Sequence, residues 1–353
     1  MSRRLGLVGW YLLLTTLFAA ALRADTIVLT DGTQKTDVQV VNETYKGVVY
    51  RLRGISADQS YPAERVKEVI YGRMPQEYRE GINFMKDGDY PQAYDAFMEV
   101  VGSARKADEH AQQYAYFYAA ECRRLAGDLE DAIKTYTDLL NNLPETAFYG
   151  EASLRKADCY RDLKKDDQAM RVLVKLKQDV EEKGLGSGLK YAAELAIVQI
   201  DPNMRAADKL QKLIELQERT AKDFPGVANR ARLAIGAVYI QQRQFDKARS
   251  FFQEIVDKRI GSPEEVVAGA YNGLGEALMS SSERADDQKT ALLHFLRVIY
   301  HYPNVRTEHA KAMYWAGKIF KIQGEKGRSR NLLNRCVSEF PGTRWAELAK
   351  AEM

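Results

Sequence analysis

The sequence predicts a mainly α-helical fold in which helical hairpins stack into a solenoid behind a small β module. The first indication is a recurring spacing of twelve residues between two small residues, as from Gly236 to Ala248. The second is a large apolar residue three positions after the first small residue and four after the second, as at Tyr239 and Phe252. The third is a period-two alternation of apolar residues near the N-terminus, which is typical of short strands.

The stretch Asn229–Ile255 shows why this spacing indicates a hairpin. Gly236 and Tyr239 share one face of a first helix, and Ala248 and Phe252 share one face of a second. Small residues let two helices approach closely, and the aromatic rings fill the space that remains. Neither helix can bury its apolar stripe alone, so the hairpin needs neighbours of the same kind.

The same spacing recurs in register along the chain, which predicts a repeat architecture. Between Ala169 and Ala248 the step is 79 residues, long enough to hold one degenerate hairpin at about 189–224, with Leu195 and Ala207 as a candidate pair. The regular pairs are Gly81–Ala93, Ala120–Ala132, Ala157–Ala169, Gly236–Ala248, Gly275–Ala291 (four residues longer) and Gly317–Ser329, with helix-ending prolines at Pro144, Pro303 and Pro341.

These residues resemble the tetratricopeptide repeat, a helix–turn–helix unit that stacks into a right-handed superhelix. The resemblance covers residues 75–341 and implies about seven hairpins. Three dipeptides that precede a fresh helix make the chain similar to the long-linker repeats of bacterial envelope proteins: Phe224-Pro225, Tyr302-Pro303 and Phe340-Pro341. The resemblance implies a non-catalytic scaffold that binds one or more partner proteins.

Residues 1–24 are predicted to be a signal peptide. Arg3 and Arg4 precede the apolar run Leu5–Ala21, and a small-residue cleavage site lies at Ala19-Ala20-Ala21 or Leu22-Arg23-Ala24. The run is near the length that spans a bilayer, so an uncleaved N-terminal anchor is the alternative. Either form predicts export across the inner membrane, to the periplasm or cell envelope.

The charge balance argues against nucleic-acid binding. The whole chain has 52 Lys and Arg against 49 Asp and Glu, a net charge of +3. Arg3, Arg4 and Arg23 fall in the signal peptide with no acid, so the mature chain has 49 of each sign and no net charge. No basic field remains to attract a polyanion.

The reactive side chains predict neither catalysis nor a metal or other cofactor. Cys122, Cys159 and Cys336 are sparse and odd in number, so we expect small buried residues, with a Cys122–Cys159 bridge as the alternative. His294 and His301 share a helix face, but no further ligands converge on them at metal-binding spacing. The sequence therefore predicts neither an enzyme nor a protein with a small-molecule substrate.

Residues 25–72 predict a small β module of four or five strands. Asp31-Gly32 marks a turn, Val38 and Val40 alternate with polar residues, and Val48 and Tyr50 continue the alternation after a glycine. So short a sheet is expected to curl into a small barrel resembling SH3 modules. Its expected role is to cap the first repeat or to hold a partner.

Residues 342–353 predict a final amphipathic helix that caps the stack. Trp345, Leu348 and Ala349 share its apolar face, whereas Glu347 and Lys350 lie on the polar one. A solenoid needs such a cap because its last hairpin has no neighbour.

The expected partner site is the concave groove, which the first helix of each repeat lines in proteins of this kind. The alternative for each aromatic is core packing between repeats, because Tyr and Phe serve both purposes. A second functional alternative is a cell-wall- or polysaccharide-associated component that binds through the β module. The groove residues expected from the repeat register are Tyr78, Tyr114, Phe117, Glu121, Asp158, Arg161, Tyr314, Lys318 and Lys321.

Overall fold

The computed structural model describes residues 24–103, 109–258 and 263–353. Apart from Ala24, the predicted signal peptide lies outside these residues. The strands are β1 Asp25–Leu29, β2 Gln34–Thr44, β3 Gly47–Leu52, β4 Asp58–Pro62 and β5 Val66–Ile70. The helices are α1 Gln76–Lys86, α2 Tyr90–Ser103, α3 Glu109–Ala126, α4 Leu129–Asn142, α5 Tyr149–Asp162, α6 Asp166–Lys183, α7 Ser187–Ile200, α8 Ala206–Thr220, α9 Pro225–Gln241, α10 Phe245–Asp257, α11 Glu264–Ser281, α12 Ala285–His301, α13 Arg306–Ile322, α14 Lys326–Glu339 and α15 Arg344–Glu352.

The predicted fold class is confirmed: helices α1–α14 form consecutive hairpins that stack into a solenoid behind a β sheet. Each hairpin packs on the next, so the hydrophobic core runs along the stack from hairpin to hairpin. Among the described residues, no helix combines the length and the apolar character needed to cross a membrane.

The β module is one antiparallel sheet in the order β4-β3-β2-β1-β5, with a single 3-10 turn at Ala63–Arg65 before the last strand. The predicted alternation is confirmed, because Val38, Val48 and Tyr50 all point into its core. At Gly47 the chain approaches β4 so closely that a Cβ would lie 2.1 Å from the carbonyl oxygen of Tyr61. Only glycine fits that crossing.

Glycine and an aromatic ring meet where the two helices of a hairpin cross, as the spacing predicted. A Cβ on Gly236 would lie 2.3 Å from the Phe252 ring, and one on Gly275 would lie 2.5 Å from the Phe295 ring. The first hairpin has the same contact between Gly81 and Phe97. The twelve-residue spacing therefore corresponds to a direct contact between an aromatic ring and the backbone of a glycine, which has no side chain in the way.

The degenerate hairpin is formed by α7 and α8, but the candidate pair Leu195–Ala207 is wrong. Leu195 is buried, whereas Ala207 is exposed and α8 instead buries Leu213 and Leu216. Large leucines at this crossing cannot replace a small residue, so the helices do not close in the regular way. A groove of about 620 Å³ lies between α8 and the α9–α10 turn, with Ala207 on its wall.

Candidate functional site: the inner face of the solenoid

The β module covers the inner end of α3. The Tyr114 hydroxyl lies 3.2 Å from Glu43 Oε1 and 3.4 Å from the Val69 carbonyl oxygen. Tyr71 donates to the other Glu43 oxygen at 2.7 Å. Tyr114 also packs edge-on against Tyr78, which is half-buried. Glu43 and Val69 belong to the β module. The module therefore covers the predicted groove residue Tyr114 and binds its hydroxyl, so this side chain is not free for a partner.

Further contacts extend the module along three hairpins. The buried Gln113 donates to the Glu43 carbonyl at 3.3 Å and accepts from Thr146 Oγ1 at 2.8 Å. The Ser187 backbone amide donates to Glu64 at 3.2 Å. The module therefore lies along the N-terminal ends of α3, α5 and α7, instead of capping only the first hairpin.

Glu43 is the ionisable group at this docking surface. Burial raises the pKa of its carboxyl above the ordinary value of 4.5, and the hydrogen bonds from Tyr71 and Tyr114 offset part of the rise. Desolvation dominates because no cation pairs with this carboxylate among the described residues.

The free energy of unfolding should therefore depend on the protonation of Glu43. Since its folded-state pKa is raised, the stabilisation is fully present below about pH 4.5 and is lost as pH rises through the folded-state pKa. Glu43→Gln should remove this dependence. The melting-temperature difference between variant and parent should change as the pH falls from neutral towards about 4.5, and a constant difference would show that Glu43 does not titrate in the interface.

Two predicted groove residues on α3 belong to the core. Phe117 is 5% exposed and stacks on Phe148, with 4.3 Å between ring centroids. Glu121 is 8% exposed. Its carboxylate accepts hydrogen bonds from Arg124 Nε and Nη2 at 3.0 and 2.7 Å, and a third from the Tyr136 hydroxyl. The loop before α5 brings Phe148 under α3, so a partner cannot reach these side chains. The prediction of groove exposure is wrong for both.

Glu121 remains charged despite this burial. Desolvation alone would raise the pKa of its carboxyl, but the hydrogen bonds and charge of Arg124, with the charge of Arg155, hold the pKa below its ordinary value. Arg155 Nε lies 3.8 Å from the carboxylate. The cluster links α3 to α4 and α5 across two hairpins.

Helix α15 covers the inner face of α13. Tyr314 is 5% exposed and lies 5.7 Å from the Trp345 ring. Lys318 and Lys321 pair with Glu352 at 3.4 and 3.2 Å. These three predicted groove residues therefore contact a helix of the chain itself, and Tyr314 is not available to a partner.

Asp158 and Arg161 on α5 remain accessible. They form an i,i+3 ion pair at 3.1 Å, and their side chains are 39% and 42% exposed. Exposed pairs of this kind contribute little to stability. Of the predicted groove residues, these two are the best placed to contact another protein.

The repeat register also places Glu276 on the inner face, although the sequence prediction omitted it. Its carboxylate lies 2.8 Å from Lys311 Nζ and 2.9 Å from Trp315 Nε1. Glu276 directly follows Gly275, just as Glu121 follows Ala120. Reading every hairpin in that register would have found it.

A large cleft borders the β module. This cleft of about 1110 Å³ lies between the module and the start of α3, with Arg53, Tyr71 and His110 among its polar lining and Leu52 and Ile55 among its apolar lining. No cluster of metal-binding side chains occurs among the described residues.

The cysteines are free and buried. Cys122 and Cys159 form no bridge, so the alternative pairing considered from the sequence is not formed. Burial raises the pKa of the Cys122, Cys159 and Cys336 thiols to about 12. Thiols with so high a pKa are poor nucleophiles.

Two family models match the helical region, each described as a tetratricopeptide repeat. One covers residues 114–146 and 151–180, and the other covers residues 203–263. The matched segments correspond to hairpins α3/α4 and α5/α6 and to helices α8–α10. The chain therefore carries tetratricopeptide repeats in these segments.

A solved structure shares the fold at low sequence identity. The apo form of RapI is 13% identical, with a TM-score of 0.50, and the match covers 74% of this chain and 96% of that one. A tetratricopeptide repeat protein from Parabacteroides merdae is 17% identical, with a TM-score of 0.46, over 78% of this chain and all of that one. The sequence has no significant match among curated proteins.

Proposed function

We propose that this chain is a non-catalytic scaffold of the periplasm or cell envelope that holds a segment of a partner protein against the inner face of its hairpins. Tetratricopeptide repeats mediate protein–protein interactions, and stacked repeats create extended concave surfaces for that purpose. The apolar run Leu5–Ala21 supports the envelope location.

One observation carries this proposal: the inner face already binds a helix. On α13 an aromatic contact between Tyr314 and Trp345 and two lysine pairs to Glu352 hold α15 in place. A partner helix needs the same chemistry of one apolar anchor flanked by opposite charges. The part of α5 beyond the β module, where Asp158 and Arg161 keep exposed side chains, offers such a surface to another chain.

Charge reversal on α5 tests the proposal. Asp158→Lys with Arg161→Glu keeps the ion pair within the helix but inverts the charges that a partner meets. We expect crosslinking pull-down from intact cells to lose the partner, with a change of no more than about 1 kcal/mol in the free energy of unfolding.

The control is a pair of the same residue types and spacing on α10, a second helix of its hairpin. Asp246 and Arg249 form an i,i+3 pair at 2.6 Å. Asp246→Lys with Arg249→Glu should leave capture unchanged. Equal capture by both double variants would contradict binding at the inner face of α5.

A second candidate function is cell-wall or polysaccharide association through the β module, and the 1110 Å³ cleft favours it. Five antiparallel strands with a 3-10 turn before the last support the resemblance to SH3 modules. In this case the full chain should sediment with purified cell wall. Arg53→Glu, at an exposed position in the cleft, should weaken that sedimentation, whereas the α5 double variant should not.

A further inference from the structure

Two turns far apart in the sequence meet backbone to backbone. Gly127 lies in the α3–α4 turn and Gly342 in the α14–α15 turn. A Cβ on Gly342 would lie 2.3 Å from Gly127 Cα, and one on Gly127 would lie 2.8 Å from Gly342 N. The last hairpin therefore returns to the second, and the solenoid closes into a ring. We call the contact between these two turns the seam.

Arg306 is the side chain that bridges the seam. Its Nη2 lies 3.5 Å from the Leu125 carbonyl oxygen, and its guanidinium lies 5.0 Å from the Phe340 ring and 6.0 Å from the Tyr90 ring. Across the described residues Arg306 forms no ion pair, and burial lowers the pKa of its guanidinium. Arg306 therefore contacts the far side of the seam through the Leu125 carbonyl oxygen and the Tyr90 ring, whereas Phe340 lies on its own side.

The glycine at position 127 is required by the seam, not by the turn. The equivalent turn residues Lys164 and Arg243 have φ values of 59° each, so an ordinary side chain can occupy this left-handed position. Gly88 and Gly324 occupy it in two other hairpins, and a Cβ on either would meet nothing within 4 Å. Of these three glycines in the turns within hairpins, Gly127 is the one at which a Cβ would strike another backbone.

The seam lacks a hydrophobic core. The buried cluster around α3–α5 and the cluster around α10–α15 share no residue, and no cluster of the described residues joins the two sides. Elsewhere each hairpin is held to the next by a buried apolar interface. Because each hairpin otherwise packs mainly on its neighbours in the stack, small rotations at several interfaces can separate the two turns without breaking any hairpin.

We propose that the seam is reversible, so that the ring opens between the second hairpin and the start of α15. The opening is a conformational change of the chain alone. Its consequence for a partner rests on the proposed function: an open ring exposes the inner face of α5 from the side, whereas a closed ring admits only a segment that can pass through it.

A pair of spin labels across the seam measures the opening. Glu130 and Glu347 have exposed side chains close to the two turns and are replaced by cysteine for labelling. The native cysteines are buried, with thiol pKa values raised to about 12, so the unsubstituted chain serves as the labelling control. We expect a main short distance and a minor longer one.

Gly127→Ala should raise the share of molecules at the longer distance well above that in the parent chain. Overpacking a tight contact typically costs enough to raise the ratio of open to closed rings by about tenfold. Gly324→Ala is the matched control, because it places the same side chain at a similar positive φ, 78° against 91°, with nothing within 4 Å of the added Cβ. It should leave the distance distribution unchanged.

Identical distributions in Gly127→Ala and Gly324→Ala would overturn the proposal, as would a parent chain with only the short or only the long distance. Should Gly127→Ala fail to fold, Arg306→Gln decides: a larger open fraction supports the seam, and an unchanged one refutes it. No partner takes part in this experiment, so its outcome is independent of whether the proposed function holds.

Discussion

Replacing Phe252 with alanine should lower the free energy of unfolding by about 3–5 kcal/mol. Its ring lies between the backbones of two glycines. A Cβ added at Gly236 would lie 2.3 Å from the ring, and one added at Gly273 would lie 2.4 Å from it. Three helices, α9, α10 and α11, therefore pack on one side chain. Alanine would leave a cavity that glycines cannot fill, since they have no side chain to move into it.

The matched control is Phe251→Ala on the same helix. Phe251 is half-buried and packs edge-on against Tyr239 at 6.0 Å, so its loss should cost less than about 2 kcal/mol. Chemical denaturation measures both values, and hydrogen exchange should show protection lost first in α9–α11 for Phe252→Ala. Equal losses in the two variants would mean that the ring between the glycines does not hold the hairpins together.

Replacing Glu121 with leucine should lower the free energy of unfolding by about 3 kcal/mol. The carboxylate is the shared partner of Arg124, Arg155 and Tyr136. Removing it leaves a half-buried guanidinium without its counter-charge and a buried hydroxyl without its acceptor. Such a loss is large because the remaining groups keep their desolvation penalty.

The comparison for Glu121 is Asp158→Asn, which breaks an exposed pair in the next hairpin and should cost no more than about 1 kcal/mol. The pH dependence gives a second check. Since the pKa of Glu121 is lowered in the folded state, its contribution is present above about pH 4.5 and is lost as pH falls through the folded-state pKa. Parent and Glu121→Leu should therefore converge in melting temperature at acid pH. Unchanged separation at acid pH would show that the charge is not what stabilises this cluster.

The helical architecture could be predicted from the sequence because its cause is local. A glycine twelve residues before a small residue, with Phe252 placed to meet it, fixes how two helices of one hairpin cross. The same reasoning failed for α7 and α8, where Leu213 and Leu216 replace the small residue and change the packing. The twelve-residue spacing thus predicts how the two helices of a hairpin cross only where a small residue lets an aromatic ring contact the backbone.

The inner face was less predictable because its cover comes from distant segments. Register correctly placed Tyr114 and Tyr314 on the first helices, but it could not show that Glu43 and Trp345 would cover them. Nothing in the spacing near Gly127 indicated a contact with Gly342, because the two are joined only through the accumulated rotation of the stack. Small angles at every interface, which sequence patterns do not specify, decide which surface stays open.

Site-specific photocrosslinking in intact cells shows whether a partner protein lies against the inner face of α5. A photoreactive residue is placed at Asp158 on the inner face of α5 and, separately, at the exposed Asp246 on α10. We expect one discrete protein adduct at position 158 and none of the same mass at position 246. No adduct at 158, or the same adduct at both positions, would contradict a partner held against the inner face.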